Sequence, residues 1–171
     1  NGSKAGPGLK TYLSQTKKKY TKIIIWGGGN DCTNNWDLYK TTIPNIQAMV
    51  DLGISHGAQV YVCLGYKVEG TDGKGNFDKG EDIWPGFGNY KHMGTFGTIK
   101  TKEDWIPRLL KRKMLNESIL KAHIKKAYFI PMMDLGGKTS DGLHGTQEGY
   151  RIAAGKIMDA VSGKNVIQPN K

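Results

Sequence analysis

Two short motifs in this chain carry side chains that could take part in catalysis. The first is Gly-Gly-Asn-Asp at residues 28–31, directly after the apolar run Ile23–Trp26, and the second is Asp-Gly-Leu-His at residues 141–144. An Asp three residues before a His brings its carboxylate within reach of the imidazole, where it orients the ring and stabilises the imidazolium. Asp141 and His144 therefore predict a general base that needs a nucleophile.

Asn30 is the second candidate catalytic group. An Asn that follows a buried strand, with glycines before it, can direct its amide N–H into the same cleft as the His, as an oxyanion donor must. Each motif is a weak signal alone, because Gly-Asn-Asp is common in turns and an isolated His is usually structural. In this order, each at the edge of a predicted sheet, the two motifs are a stronger signal than either one.

The elements that must position these groups alternate between strand and helix. Short apolar runs predict strands, and apolar positions at helical spacing predict helices, the last of them N-capped by Thr146. The predicted strands are Lys22–Trp26, Ala58–Leu64 and Ala127–Met132, and the predicted helices span residues 44–52, 103–125 and 146–161. This alternation predicts an α/β fold with a parallel sheet. The unbroken apolarity of the first run predicts a strand buried on both faces.

The two motifs resemble the third and fifth blocks of the SGNH (GDSL-type) hydrolase family. Residues 1–6, Asn-Gly-Ser-Lys-Ala-Gly, also look like the family's second block, in which a Gly serves the oxyanion hole through its backbone N–H. The resemblance implies a three-layer α/β/α, flavodoxin-like fold and ester hydrolysis through a Ser-His-Asp triad. It assigns Asp141 and His144 to that triad and Gly6 and Asn30 to the oxyanion hole. No metal or organic cofactor is implied.

The chain departs from the family at the nucleophile. Family members carry the catalytic Ser in a Gly-Asp-Ser motif after the first strand, and no such motif occurs in the 171 residues. Ser3 is a weak alternative, because no strand precedes it. In the strand order 2-1-3-4-5 the first strand is central, so a chain with only the last three strands would expose a hydrophobic sheet edge. We therefore expect this chain to be the C-terminal portion of a longer domain, completed by an upstream segment or a separate polypeptide that supplies the Ser.

Composition excludes some other classes of protein. The chain has 25 Lys and Arg against 15 Asp and Glu, a formal charge of +10. The lysines lie in short clusters beside apolar segments and form no basic stripe interleaved with aromatic residues, which argues against nucleic acid as a partner. No apolar run approaches the roughly 18 residues of a membrane span, so no membrane partner is expected. Two cysteines are too few for a disulfide framework.

The chain is predicted to be a single domain, residues 1–171, with a Gly- and aromatic-rich insertion at residues 65–102. A segment of this kind at the carboxyl end of a strand is either an ordered lid or pocket wall, or a surface insertion that only packs. Its aromatic residues favour a carbohydrate substrate that carries a short acyl group, such as an O-acetyl ester. The alternative is a structural or carbohydrate-binding module that keeps the hydrolase fold and has lost its nucleophile.

Overall fold

The computed structural model describes residues 8–33, 37–65, 114–138 and 144–169. Helices alternate with three strands in these residues. The elements are α1 (Leu9–Gln15), β1 (Lys22–Ile25), α2 (Gly29–Thr33), α3 (Ile43–Ser55), β2 (Gln59–Cys63), α4 (residues 114–118), β3 (Tyr128–Ile130) and α5 (Gln147–Val161). A π-helical turn, Leu38–Thr42, leads into α3, and another, Ile119–His123, follows α4.

The three strands form one parallel sheet in the order β1-β2-β3. Ile25 of β1 pairs with Val62 of β2, and Val62 pairs with Phe129 of β3. The strands are rich in β-branched and aromatic side chains, which pack well on a pleated surface. Their parallel arrangement, with helices packed on both faces, confirms the predicted α/β class.

The first face of the sheet is covered across all three strands. Ile23 and Ile25 of β1, Val60 and Val62 of β2, and Phe129 of β3 are buried there in one cluster with residues of α1, α3 and α4. Helix α3 approaches β2 closely at Gly53, where an added Cβ would lie 2.6 Å from the Val60 Cγ2 atom. A side chain at position 53 would therefore push the helix away from the sheet.

The second face is packed by α5. Ala153 and Ala160 of this helix are buried against a cluster that includes Tyr61, Cys63 and Ile130. The rings of Tyr61 and Tyr128 stack there, with centroids 5.2 Å apart. Burial raises the pKa of the Cys63 thiol to about 12, because the thiolate would lose its hydration.

Helix α5 does not extend over β1. Ile24, which pairs with Tyr61 and so shares its face, is 44% exposed, and Trp26, two residues further, is 38% exposed. The prediction that the first strand is buried on both faces is therefore wrong for the second face. A helix is about 10 Å wide and strands lie about 4.8 Å apart, so one helix covers about two strands. Lys22 Nζ still reaches the end of α5 and donates to the Val161 carbonyl oxygen at 2.5 Å.

The two edges of the sheet also differ. On the outer side of β3, Phe129 forms an antiparallel bridge with Ile167, with both N–H···O distances at 2.9 Å. On the outer side of β1, no strand pairs with it within the described residues. The open edge expected from the sequence is therefore seen at β1, as far as the described part of the chain extends.

The boundaries of the elements differ modestly from those predicted. Helix α3 runs three residues further than expected, to Ser55, and α5 begins after Thr146, whose Oγ1 accepts a hydrogen bond from Gly149 N as the predicted N-cap. The predicted helix at residues 103–125 is described only from residue 114, and the insertion at 65–102 lies outside the described residues except for Gly65. In the part of the chain that the structure describes, no helix is both long and apolar enough to cross a membrane.

Candidate active site

A cavity of about 440 Å³ opens at the carboxyl ends of β1 and β2. In open parallel sheets this is the edge where ligands bind. Its wall is formed by the segment after β1, by Gly65 two residues after β2, by helix α4 and by the residues at the start of α5. The lining residues are Trp26, Gly27, Gly28, Gly29, Asn30, Asp31, Gly65, Leu115, Asn116, His144 and Tyr150.

The turn that carries Asn30 depends on Gly28. This residue has φ +89°, a left-handed conformation that favours glycine. An added Cβ would also lie 2.7 Å from Leu115 Cδ2 and 3.2 Å from Thr42 Cγ2. The chain turns from β1 directly into α2 at this point, and Cys32 N donates to the Gly28 carbonyl oxygen at 3.2 Å. Asn30 therefore lies in the first turn of α2, exposed to the cavity.

Asp31 fixes the other side of this turn. Its Oδ2 atom accepts a hydrogen bond of 2.8 Å from Oγ1 of Thr42, a buried residue in the π-helical turn before α3. The next residue, Cys32, is fully buried. The Asp of the Gly-Gly-Asn-Asp motif thus holds α2 to its neighbouring helix, a role that the sequence analysis did not assign.

His144 lies just before α5, and the start of that helix is held by the Lys138 carbonyl oxygen. Thr146 N donates to this oxygen at 2.9 Å, and Thr146 Oγ1 lies 3.2 Å from it. Gly149 passes so close that a Cβ there would overlap the same oxygen. Glu148 adds an ion pair of 3.4 Å to the Lys138 ammonium group. The backbone on the carboxyl side of His144 is thus anchored at the protein surface.

The structure brings together two of the four predicted site residues. Asn30 and His144 both line the cavity although they are far apart in the sequence. Gly6 and Asp141 lie outside the described residues, so their assignments stay predictions. None of the described residues that line the cavity is a Ser.

Three lining residues were missed by sequence reasoning. The helical spacing of apolar residues places Tyr150 on the inward side of α5, but it is 45% exposed and borders the cavity. Trp26 ends the predicted first strand, and its position before the glycines was a usable signal. Asn116 gave no signal, because its place depends on how α4 packs. Its Oδ1 accepts a hydrogen bond of 2.9 Å from Gly65 N, the backbone amide that follows β2.

The cavity combines an amide and an imidazole with aromatic walls. An amide N–H can stabilise a developing oxyanion, and a neutral imidazole can accept a proton from a nucleophile. Among residues 8–33, 37–65, 114–138 and 144–169, no cluster of three His, Cys, Asp or Glu side chains could hold a metal ion. The Asn30 amide and the His144 imidazole can together supply hydrogen bonding and proton transfer.

No family model and no curated protein sequence matches this chain. Solved structures are similar to it. A GDSL-like lipase from Bacteroides thetaiotaomicron VPI-5482 has a TM-score of 0.49 and 19% identity over 84% of this chain and 62% of the lipase. A protein described as a "putative acylhydrolase" from Bacteroides fragilis NCTC 9343 has a TM-score of 0.48 and 20% identity over the same shares. The likeness concerns the fold alone, and the chain spans less than two thirds of either structure.

Proposed function

We propose that the cavity is the ester-binding site of a serine hydrolase that cleaves short acyl esters, such as O-acetyl groups, on a carbohydrate. One observation carries this proposal: Asn30 and His144, delivered by separate segments, line a single cavity at the carboxyl edge of a parallel sheet. This is the pair of groups that acyl transfer needs beside a nucleophile, because one stabilises the oxyanion and the other moves the proton.

In the proposed reaction, a Ser hydroxyl attacks the ester carbonyl carbon and His144 accepts the hydroxyl proton. The carbonyl oxygen becomes an oxyanion that accepts hydrogen bonds from the Asn30 side chain and the Gly6 backbone N–H. When the tetrahedral intermediate collapses, the C–O bond to the alcohol breaks and His144 returns the proton to the leaving oxygen. Water then hydrolyses the acyl-enzyme by the same proton transfers. Asp141 would orient His144 throughout.

The Ser of this proposal belongs to a segment outside the 171 residues. The outer edge of β1, which no strand of the described residues pairs with, supports this idea, because a further parallel strand placed there would end beside the turn that carries Asn30. The exposed side chains of Ile24 and Trp26 support it too, since a helix attached to that strand would cover them. The proposed complement therefore contributes both the nucleophile and the missing cover of the second face.

The carbohydrate part of the proposal is supported by the cavity wall. Trp26 and Tyr150 both border the cavity and keep more than a third of their surface exposed. Binding sites commonly combine such aromatic surfaces with a few polar groups that fix the orientation of the ligand. A sugar ring, with C–H groups on its faces and hydroxyl groups around its edge, matches these walls better than a long acyl chain.

A fluorophosphonate probe tests the proposal, because it labels only an activated Ser. The full native polypeptide that contains this chain is treated with the probe, and the labelled peptide is identified by mass spectrometry. We expect one labelled Ser, located outside the 171 residues, and loss of the label in His144→Ala. A label on Ser3 or another Ser of this chain would overturn the external supply of the nucleophile.

The same experiment decides between the enzyme and a non-catalytic module. The absence of a Gly-Asp-Ser motif from the chain favours the module. A folded polypeptide that takes no label and does not hydrolyse p-nitrophenyl acetate would support the module and contradict the esterase. Labelling that depends on His144 would support the esterase.

A further inference from the structure

Asn116 presents an amide group whose orientation is fixed by the backbone. Its side-chain oxygen accepts the hydrogen bond from Gly65 N at 2.9 Å. A backbone N–H can only donate, so the oxygen must face Gly65 and the Nδ2 group must point elsewhere. Within the described residues, Nδ2 has no protein acceptor. Two N–H donors are thus held at the wall of the cavity.

The helix that carries Asn116 is firmly packed. Its neighbour Leu115 is buried against the glycine turn after β1. On the next turn, the buried Ser118 donates a hydrogen bond of 3.0 Å to the Tyr39 hydroxyl oxygen. Helix α4 therefore has little freedom to move relative to the turn that carries Asn30. The amide of Asn116 is pre-positioned, which lowers the entropic cost of binding a ligand.

We infer that Asn116 is a specificity residue: its Nδ2 group donates a hydrogen bond to an oxygen in the alcohol portion of the bound ester. This inference rests on the proposed function and names the part of the substrate that the site reads. Asn116 is attached to the end of β2, whereas Asn30 follows β1, and neighbouring strands lie about 4.8 Å apart. The two amides are thus presented from the ends of different strands, and we assign the Asn116 donor to atoms of the substrate outside the oxyanion hole.

Two substitutions separate substrate binding from a structural role. Asn116→Asp keeps an oxygen for Gly65 N but removes both N–H donors, whereas Asn116→Ala removes the donors and the acceptor. In the full native polypeptide, we expect Asn116→Asp to raise KM for glucose pentaacetate about tenfold, the scale of one lost hydrogen bond. We expect the rise in KM for p-nitrophenyl acetate to be smaller than that for glucose pentaacetate, since its alcohol portion lacks sugar oxygens, and an equal rise for both esters would overturn the inference. Asn45→Asp, the same change on the exposed side of α3, is the matched control.

The possible outcomes are distinct. If Asn116→Asp behaves as wild type on both esters and only Asn116→Ala is impaired, Asn116 merely holds Gly65 and the inference is overturned. If Asn116→Asp shifts the pH profile of kcat and leaves KM unchanged, the new carboxylate acts on His144. That result overturns the inference as well. A KM increase for the sugar ester that is constant between pH 5 and pH 8 supports it.

Calorimetric titration with glucose pentaacetate separates this inference from the proposed function. If the wild-type polypeptide binds the sugar ester without hydrolysing it, and Asn116→Asp weakens binding about tenfold, the proposed catalysis fails and the inference holds. If both variants bind equally well, or neither binds, the inference is overturned whether or not p-nitrophenyl acetate is hydrolysed.

Discussion

The two faces of the sheet each support one half of the candidate site, and they do so by different means. On the first face, a buried cluster that spans all three strands includes Leu115 and Cys32 and fixes the turn that carries Asn30. On the second face, α5 packs over β2 and β3 and its anchored start presents His144 at the surface. The Asn30 amide is thus positioned by packing in the interior, whereas the His144 imidazole is positioned by backbone hydrogen bonds at the start of α5.

This difference indicates how each half should respond to substitution. A change in the tightly packed turn disturbs the core, because packed interiors tolerate little added volume. A change at the helix start acts on a few hydrogen bonds at the surface, where water can replace a lost partner. Asn30 itself is exposed, so its loss should affect chemistry and not packing.

The largest effect is expected for Asn30→Ala. In the full native polypeptide, loss of the proposed oxyanion donor should lower kcat for p-nitrophenyl acetate about 10²- to 10³-fold. The melting temperature should stay close to that of the wild type, because the side chain is exposed. Asn45→Ala is the control for a similar change away from the cavity. Unchanged turnover in Asn30→Ala would show that the turn contributes no catalytic group.

Gly28→Ala tests the packing of the first face. The substitution strains a residue with φ +89°, at about 1–2 kcal/mol, and presses a methyl group onto Leu115, at about 1–3 kcal/mol. Urea denaturation should show the sum of these losses. Gly57→Ala is the matched control, because Gly57 has φ +79° and no atom within 4 Å of the added Cβ. Equal losses in the two variants would mean that contact with Leu115 is unimportant.

Gly149→Ala tests the anchor of the second face. The added methyl group would overlap the Lys138 carbonyl oxygen, so the start of α5 must shift, at about 1–3 kcal/mol. Because His144 precedes this start, kcat/KM for p-nitrophenyl acetate should fall as well. Gly155→Ala in the same helix meets no atom within 4 Å and should stabilise the protein by about 0.5–1 kcal/mol. A stable, fully active Gly149→Ala would contradict the proposed anchor.

A smaller loss of stability is expected on the second face at alkaline pH, where the buried Cys63 thiol titrates. Burial raises the pKa of Cys63 from its ordinary 9.0 to about 12, so the folded protein keeps a proton that the unfolded chain loses. The contribution of Cys63 to stability is therefore complete below pH 9 and declines between pH 9 and pH 12. At pH 10 the decline should be about 1.4 kcal/mol. The decline should be smaller by this amount in Cys63→Ala, and urea denaturation at pH 8 and pH 10 measures it in both proteins.

Much of the architecture could be predicted from local sequence. The Ile-Ile-Ile run before the glycines predicted β1, and Thr146 predicted the start of α5, because β-branched residues and N-caps act through nearby backbone. The expectation that Asn30 and His144 meet came from the two motifs taken together, from their resemblance to one family and from the rule that ligands bind at the carboxyl edge of a parallel sheet. These inferences needed short-range patterns, one rule of topology and that resemblance.

The remaining features depend on packing between distant elements. The exposure of Ile24 could not be read from an apolar run, since it depends on how many strands α5 covers. Asn116 joins the cavity only because Leu115 packs on Gly28, a contact between residues far apart in the chain. Tyr150 is exposed at the cavity although its spacing in α5 matches the inward positions, so periodicity alone placed it on the wrong side.

The bridge between Phe129 and Ile167 limits how this sheet can grow. Both backbone groups of Phe129 are occupied by Ile167, and the carbonyl oxygen of the neighbouring Ile130 accepts a hydrogen bond from Leu64 N, directly after β2. The outer side of the middle residue of this three-residue strand is thus already occupied, and within the described residues the β1 side is the edge where a further strand can extend the sheet. Once the proposed upstream strand pairs with β1, neither edge of the described sheet would offer an uninterrupted row of backbone groups for edge-to-edge association.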